Sequence, residues 1–336
     1  MAKLTIAEAL REAIREEMRK DERIFLIGED IGIPGGFGGA FGVYLGLAEE
    51  FGPKRVIDTP ISEKAILGAA IGAALMGLRP IADVHYSDFL FCAMDEIVNQ
   101  APKLRYMSGG KLKVPLVLRA PVGATTRGAQ HAQSPYGFFC HVPGWKVAAP
   151  SDAYSAKGLL KAALRDDNPV LLFEHKLLYG SKGRESAGGL ELTCEVPSED
   201  YTIPLGKAKI KKEGSHATVV ATHLMLYRSL KVARELEEEG LSLEVIDPQS
   251  LIPLDKETIY SSLAKTGRLA IVEEDTLTCG WGAELAALVA QEALYHLEAP
   301  ILRIATPDVP IPFAPHLEKE VIPSEERIKK EIKSLC

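Results

Sequence analysis

Residues 55–84 read RVIDTPISEKAILGAAIGAALMGLRPIADV, and the order of strand, turn, helix and strand within that stretch sets the fold class. Val56 and Ile57 open a short β-branched run, Pro60 cannot continue a ladder, and Ser62 suits the N-cap of a helix over 62–78. Ile66, Leu67, Gly68, Ala69, Ala70, Gly72, Ala73 and Ala74 make that helix too apolar for an ordinary surface helix. One carboxylate, Glu63, therefore stands in its first turn. The helix dipole favours the charged form of Glu63, and an apolar surround favours the neutral form. A carboxyl group pulled both ways is a candidate for proton exchange. The plain alternative is an acidic residue in a first turn, which is a common arrangement.

The same alternation extends in both directions. Thr5 opens the first helix with Glu8 completing a capping box, and Ile6, Leu10, Ile14 and Met18 give that helix one apolar stripe. Strand-like runs occur at 24–27, 56–58, 80–84, 114–119, 146–149 and 170–173, with helical runs at 41–51, 62–78, 88–107 and 152–166. This predicts an α/β fold: a doubly wound, largely parallel sheet over residues 1–177. Gly180, Gly183, Gly188, Gly189, Pro197 and Pro204 break the pattern, so 178–204 reads as a linker. A second, smaller α/β domain follows over 205–336, with strands at 217–221, 243–247, 269–273 and 301–304 and helices at 223–239, 255–266 and 282–297. The stretch 325–333 reads as a solvated terminal helix.

With 336 residues the chain can build two full cores, and its 46% hydrophobic and 25% charged content is that of a globular protein. A net charge of −7 without a basic stripe argues against a nucleic-acid partner. The longest uncharged apolar stretch, 65–78, is too short to span a bilayer, so no membrane partner is expected. Glu8, Glu12, Glu16 and Glu17 make the N-terminal segment unlike a transit or signal peptide, which points to a cytoplasmic protein. Five cysteines (Cys92, Cys140, Cys194, Cys279 and Cys336) with no CxxC spacing fit a reducing compartment. The histidines form no HExxH or His-x₃₋₅-His pair, so a transition-metal site is not indicated.

The glycine run from Gly32 to Gly42 does not make a dinucleotide fingerprint, because Phe41 stands where GxGxxG requires its third glycine. It reads as a mobile surface loop. His131 lies in the patternless stretch GAQHAQSP, and a lone loop histidine is most simply a solvated one. His141, followed by Val142-Pro143-Gly144, reads as a turn residue. Residues 165–169, RDDNP, read as a polar turn with Asn168 as a stop signal.

DTPISE at 58–63, the Gly/Ala helix and GLRPIAD at 77–83 together resemble the β subunit of the thiamine-diphosphate-dependent 2-oxo acid dehydrogenases. NQAPKLRYMSG at 99–109, QHAQS at 130–134, HVPG at 141–144 and RDDNP at 165–169 carry the same resemblance nearly end to end. Those proteins are the first components of the pyruvate, branched-chain 2-oxo acid and acetoin dehydrogenase complexes, with a transketolase-like fold. The resemblance implies that Glu63 hydrogen-bonds N1′ of the cofactor's aminopyrimidine, with Ile61, His85 and Phe89 around the ring. Phe89 takes the place of a stacking aromatic. His85 stands where relatives often carry Gln or Met. His131 matches the histidine that guides the substrate carboxylate or proton transfer, and acyl transfer to a lipoyl group. Arg127 beside it is consistent with a small anionic substrate. In some relatives the positions matching Leu116, Ala163, Leu164, Asp166 and Asn168 hold a structural potassium ion through carbonyls and one carboxylate.

The dipeptide Gly-Asp, which begins the GDG…N motif that holds the diphosphate through Mg²⁺ in relatives, does not occur here. The chain thus offers the pyrimidine half of a site, and the resemblance implies an α subunit supplying the other half in an α₂β₂ heterotetramer. It also implies a lipoyl-bearing acyltransferase second component as partner and a small 2-oxo acid as substrate. The string EHKLLYG at 174–180 leans toward pyruvate or acetoin over branched-chain substrates. Two other readings stand beside this one: a transketolase-like enzyme whose N-terminal half is a separate chain, and a non-catalytic scaffold that docks the second component.

Overall fold

A computed structural model describes residues 1–33, 35–180 and 189–336. The chain divides into two compact units, Met1–Val122 with His141–Leu205, and Gly123–Cys140 with Gly206–Cys336.

Within the first unit, six parallel strands lie side by side in the order Lys146–Ala148, Val170–His175, Val117–Val122, Arg79–Asp83, Ile24–Glu29 and Val56–Thr59. Four of them (Ile24–Glu29, Arg79–Asp83, Val117–Val122 and Val170–His175) are buried almost throughout, as a parallel sheet covered by helices requires. The strand expected at 114–119 begins only at Val117, because Pro115 has no N–H to give the ladder. The helix expected over 41–51 is confined to Leu47–Phe51, since Gly42 and Gly46 take φ of +70° and +77°. The helix expected over 88–107 is instead a 3₁₀ segment Ser87–Ala93, a π-turn Glu96–Gln100 and a short helix Leu104–Met107. Pro102 cannot donate to the turn before it, which ends the regular ladder there.

The small-residue helix spans Glu63–Leu75 and buries Ile66, Leu67, Ala70, Ile71 and Ala74. Ser62 precedes it without a side-chain cap bond. Its other face, with Ala65, Gly68, Ala69 and Gly72, is exposed, and a Cβ at either glycine would meet nothing within 4 Å. Helices Ile6–Lys20 and Ala153–Leu164 pack together through an ionic seam. Lys157 Nζ lies 2.7 Å from Glu12 and 2.8 Å from Glu16, and Lys161 Nζ lies 2.6 Å from Glu16 and 2.5 Å from Asp200. The capping box of Thr5 and Glu8 forms as the sequence indicates.

Residues 181–188 of the expected linker lie outside the described residues. The rest is tied to the first unit: Cys194–Val196 pairs antiparallel with Ala2–Leu4, Tyr201 donates to Tyr154 O, and Ile203 packs against Gly158. The second unit has a sheet in the order Leu302–Thr306, Leu269–Thr276, Ala217–Ala221, Leu243–Asp247 and Lys209–Lys212, the last antiparallel. It also holds Gly123–Cys140, which the sequence reading places in the first domain. Backbone N–H groups of that segment are taken up by carboxylates of the second unit, and these contacts outweigh closeness along the chain. The terminal helix Glu325–Leu335 is not wholly solvated. It buries Ile328 and Ile332 and packs on His223–Glu238, with Lys329 paired to Glu235 and Glu239.

Both Lys157 and Lys161 are fully buried, so losing a carboxylate weakens the neutralisation of a buried ammonium. Glu16 serves both of them and is itself about a quarter exposed, which moderates the cost. Glu16→Gln should destabilise the protein by about 1–3 kcal/mol, read as a lower denaturation midpoint with unchanged m-value. An unchanged midpoint would show that Glu12 and Asp200 suffice.

Candidate active site

The carboxyl ends of three neighbouring strands in the first unit deliver Glu29, Thr59 and Asp83, with Asp58 just before Thr59 and Glu63 four residues beyond it. Ligand sites of open parallel sheets form at this edge. Gly28 sits beside Asp83 in the register, and a Cβ there would lie 2.9 Å from Asp83 O, so only glycine allows the two strands to meet. Burial pushes the Glu29 carboxyl above its ordinary range, and the nearby charges of Asp30, Glu63 and Asp58 add to the effect while His85 opposes it.

Glu63 is the first residue of its helix and half-exposed. Among the described residues its carboxylate has no hydrogen-bond partner. Ile61, two residues earlier, is 74% exposed. Phe89 is half-buried on the 3₁₀ segment, and that segment packs against the Glu63 helix. The glycine run folds onto the same edge. Gly32 N–H donates to Asp58 Oδ1 at 3.0 Å, Gly38 and Gly39 are buried, and a Cβ at Gly39 would touch the His85 ring at 3.4 Å. Pro34 lies outside the described residues.

His85 is anchored from below. Its Nε2 lies 2.9 Å from Asp83 Oδ2, and Asp83 in turn lies 3.6 Å from Arg119 Nη1. Asp83 and Arg119 are register partners on adjacent strands, so their side chains share a face. Arg119 pairs in register with Leu172, and Glu174, two residues on, returns to that face. The Arg119 guanidinium donates to Glu174 Oε1 at 2.7 Å and Oε2 at 2.5 Å, in the fork geometry favoured by a carboxylate. It also reaches the Tyr44 hydroxyl, and Tyr179 OH donates to Glu174 at 2.5 Å. Phe41 of the glycine run stacks on Tyr179 with ring centroids 4.4 Å apart. Arg119 and Glu174 are 1% exposed. Burial works against the Arg119 charge, but Glu174, Tyr44 and Asp83 hold its pKa well above the ordinary value. Burial likewise lowers His85, yet the charge and hydrogen bond of Asp83 outweigh it and the imidazole ends above its usual value.

The sequence reading missed Asp83, Arg119, Glu174 and Tyr44. A signal was there: each of three strand runs, PIADV, VLRAPV and VLLFEH, carries a charge amid apolar residues.

His131 belongs to the second unit, on the 3₁₀ turn Ala129–His131, and is half-exposed. The potassium positions lie together at the turn after helix Ala153–Leu164, but protein cations already occupy several of their oxygens. Arg79 donates to Leu164 O at 2.8 Å and to Asp166 O at 2.5 Å, Lys146 pairs with the Asp166 carboxylate, and Leu116 O accepts from Val170 N at 2.9 Å. Asn168 bridges Asp166 Oδ1 and Arg105. The residues present therefore fit an alkali cation poorly. Among the described residues no three His, Cys, Asp or Glu side chains converge on a metal position, and no helix is long and apolar enough to cross a membrane.

Residues 2–182 match the transketolase pyrimidine-binding domain and residues 206–328 match the transketolase C-terminal domain. The chain is 45% identical to the β subunit of acetoin:2,6-dichlorophenolindophenol oxidoreductase from Bacillus subtilis, over 97% of this chain and 95% of that protein. It belongs to this transketolase-like family of dehydrogenase β subunits. Identity is 44% to the pyruvate dehydrogenase E1 component subunit beta of Rickettsia felis, covering 99% of this chain and 98% of that one. For the 2-oxoisovalerate dehydrogenase subunit beta of Bacillus subtilis it is 42%, covering 100% and 99%. A solved structure titled split gene transketolase, inactive beta4 tetramer, shares the fold with a TM-score of 0.76 at 22% identity, covering 99% of this chain and 98% of that one. This agrees with the expected α/β, transketolase-like fold.

Two measurements test this geometry. In an NMR titration His85 should have its midpoint above about 6.5, and Asp83→Asn should bring it below that value. A midpoint indifferent to Asp83 would show the pair to be broken in solution. Exchanging potassium for sodium should leave the thermal midpoint unchanged, because Arg79 and Lys146 already neutralise the turn. A potassium-specific rise would show that an ion displaces one of them.

Proposed function

We propose that this chain is the β half of a dehydrogenase first component, which with an α subunit decarboxylates pyruvate and acylates lipoyl-lysine of a second component. The observation that carries this reading is Glu63: a carboxylate with no hydrogen-bond partner among the described residues, held at a helix N-terminus on the carboxyl edge of a parallel sheet. Such a group is placed to share a proton with N1′ of an aminopyrimidine. Ile61 and Phe89 offer apolar surface to the ring, and His85, fixed by Asp83, offers a polar contact. Thiamine diphosphate, when bound, supplies the electron sink that decarboxylation requires. This chain's part is orientation and proton exchange. Mg²⁺ and the diphosphate fall to the α subunit, since no Gly-Asp sequence occurs here. The exposed apolar face of helix Glu63–Leu75 is consistent with a protein partner. His131 is assigned to the substrate carboxylate and acyl transfer, and Arg127, exposed four residues before it, suits an anionic substrate.

Acetoin is the second substrate reading, favoured by the 45% identity to the acetoin-oxidoreductase β subunit. A branched-chain 2-oxo acid is the third. Tagging the chain in its native source should bring down a stoichiometric partner carrying the GDG…N motif, and the pair should turn over pyruvate in preference to the other two. Glu63→Gln should leave that assembly intact and lower turnover tenfold or more, as loss of a placed acid–base group costs about 10²–10⁴. Full activity of the variant would favour the scaffold reading, and a chain that comes down alone would remove the α partner.

A further inference from the structure

The strand Leu269–Thr276 buries three consecutive acids, with Glu273 0%, Glu274 4% and Asp275 7% exposed. Buried carboxylates are costly unless hydrogen-bonded. Glu273 is met by Arg303 at 2.8 Å and by Gly282 N–H at 2.7 Å. The other two turn to the segment Gly123–Cys140. Ala124 N–H donates to Glu274 Oε1 at 2.6 Å, and Gly137 N–H donates to Asp275 Oδ2 at 2.8 Å. A third carboxylate, Glu318 on the short helix Pro315–Val321, accepts from Thr126 N–H at 2.7 Å. The segment is thus gripped near both of its ends by three carboxylates from two elements. Its neck is closed by Gly123 N–H on Gln133 O at 3.2 Å, and Tyr136 OH meets His223 Nδ1 at 2.6 Å. Gly137 lies so close to the strand's end that a Cβ would fall 2.4 Å from Cys279 O. Burial pushes Asp275 up to about 7, with the charge of Glu273 adding, even though three backbone N–H groups pull it down. His131 stands on the turn between these clamped ends.

We propose that Glu274, Asp275 and Glu318 are positioning residues for His131, so that the C-terminal unit sets where its imidazole stands. Carboxylates on backbone N–H groups fix the path of the segment whatever its side chains, and so fix where the backbone of His131 runs. The inference rests on the reading of His131 given above. It gives a positioning task to acids of a strand and a short helix that are remote in sequence from His131.

Glu318 is half-exposed, so replacing it spares the core. In the complex with the co-purified α subunit, Glu318→Ala should lower turnover on the order of tenfold, because a small misplacement of a catalytic group is expensive. Glu318→Gln, which keeps an acceptor oxygen, should restore most of it. Assembly and the step that depends on Glu63 should stay at wild-type level. The double variant Glu318→Ala/His131→Ala should be no slower than His131→Ala alone, as expected for two residues acting through one group. Wild-type turnover in Glu318→Ala, or losses that multiply in the double variant, would overturn the positioning role while leaving His131 in place. Full turnover in His131→Ala would remove the reading of His131, and the inference with it. Asp275→Asn, read by the same cycle, gives the second clamp an independent trial.

Discussion

A guanidinium buried inside a parallel sheet has to be neutralised where it stands, and in the first unit that requirement organises everything above it. Arg119 cannot give up its proton, so it must have carboxylates at hand. Glu174 meets it through a two-pronged contact, Asp83 approaches from the neighbouring strand, and Tyr44 and Tyr179 complete the shell. Asp83 then has an oxygen committed to His85, and the glycine run closes over that ring. A buried ion pair of this kind contributes little net stability compared with packed apolar residues. What it supplies is orientation: Asp83 Oδ2 lies between Arg119 Nη1 and His85 Nε2, so the position of His85 follows from that of the buried pair.

Above this network the helix Glu63–Leu75 does two things at once. Its inner face of Ile66, Leu67, Ala70 and Ile71 packs into the unit, while the outer face of Ala65, Gly68, Ala69 and Gly72 is left bare. Glu63 sits at the point where the helix begins, so its carboxylate is placed by the same packing that holds the helix. Single-sided burial explains why a helix that is apolar all round in sequence is not buried all round in this chain.

The second unit uses carboxylates differently. Glu274, Asp275 and Glu318 take backbone N–H groups from Gly123–Cys140. An N–H donor is present at every residue except proline, so such a clamp leaves no trace in the clamped sequence. That is why the segment reads as an unpatterned part of the first domain when only side chains are considered. Glu274 and Asp275 of IVEEDT are visible in the sequence at the end of a strand run, but their burial is not.

The local chemistry of the chain fixes its elements. Period-2 and period-3.6 patterns place the strands and most helices, Thr5 with Glu8 starts the first helix, and the DTPISE turn sets Glu63 at a helix N-terminus. Where the pattern misleads, backbone-limited residues are responsible: Pro115 delays a strand, Gly42 and Gly46 shorten a helix, and Pro102 breaks another. These are effects within a few residues, and sequence carries them. Tertiary structure alone decided that Asp83, Arg119 and Glu174 converge, that Arg79 and Lys146 fill the turn around Asp166, and that His131 belongs to the second unit. Each of those depends on register between strands or on a hydrogen bond across many residues of chain, and neither is encoded in the spacing of residues along it.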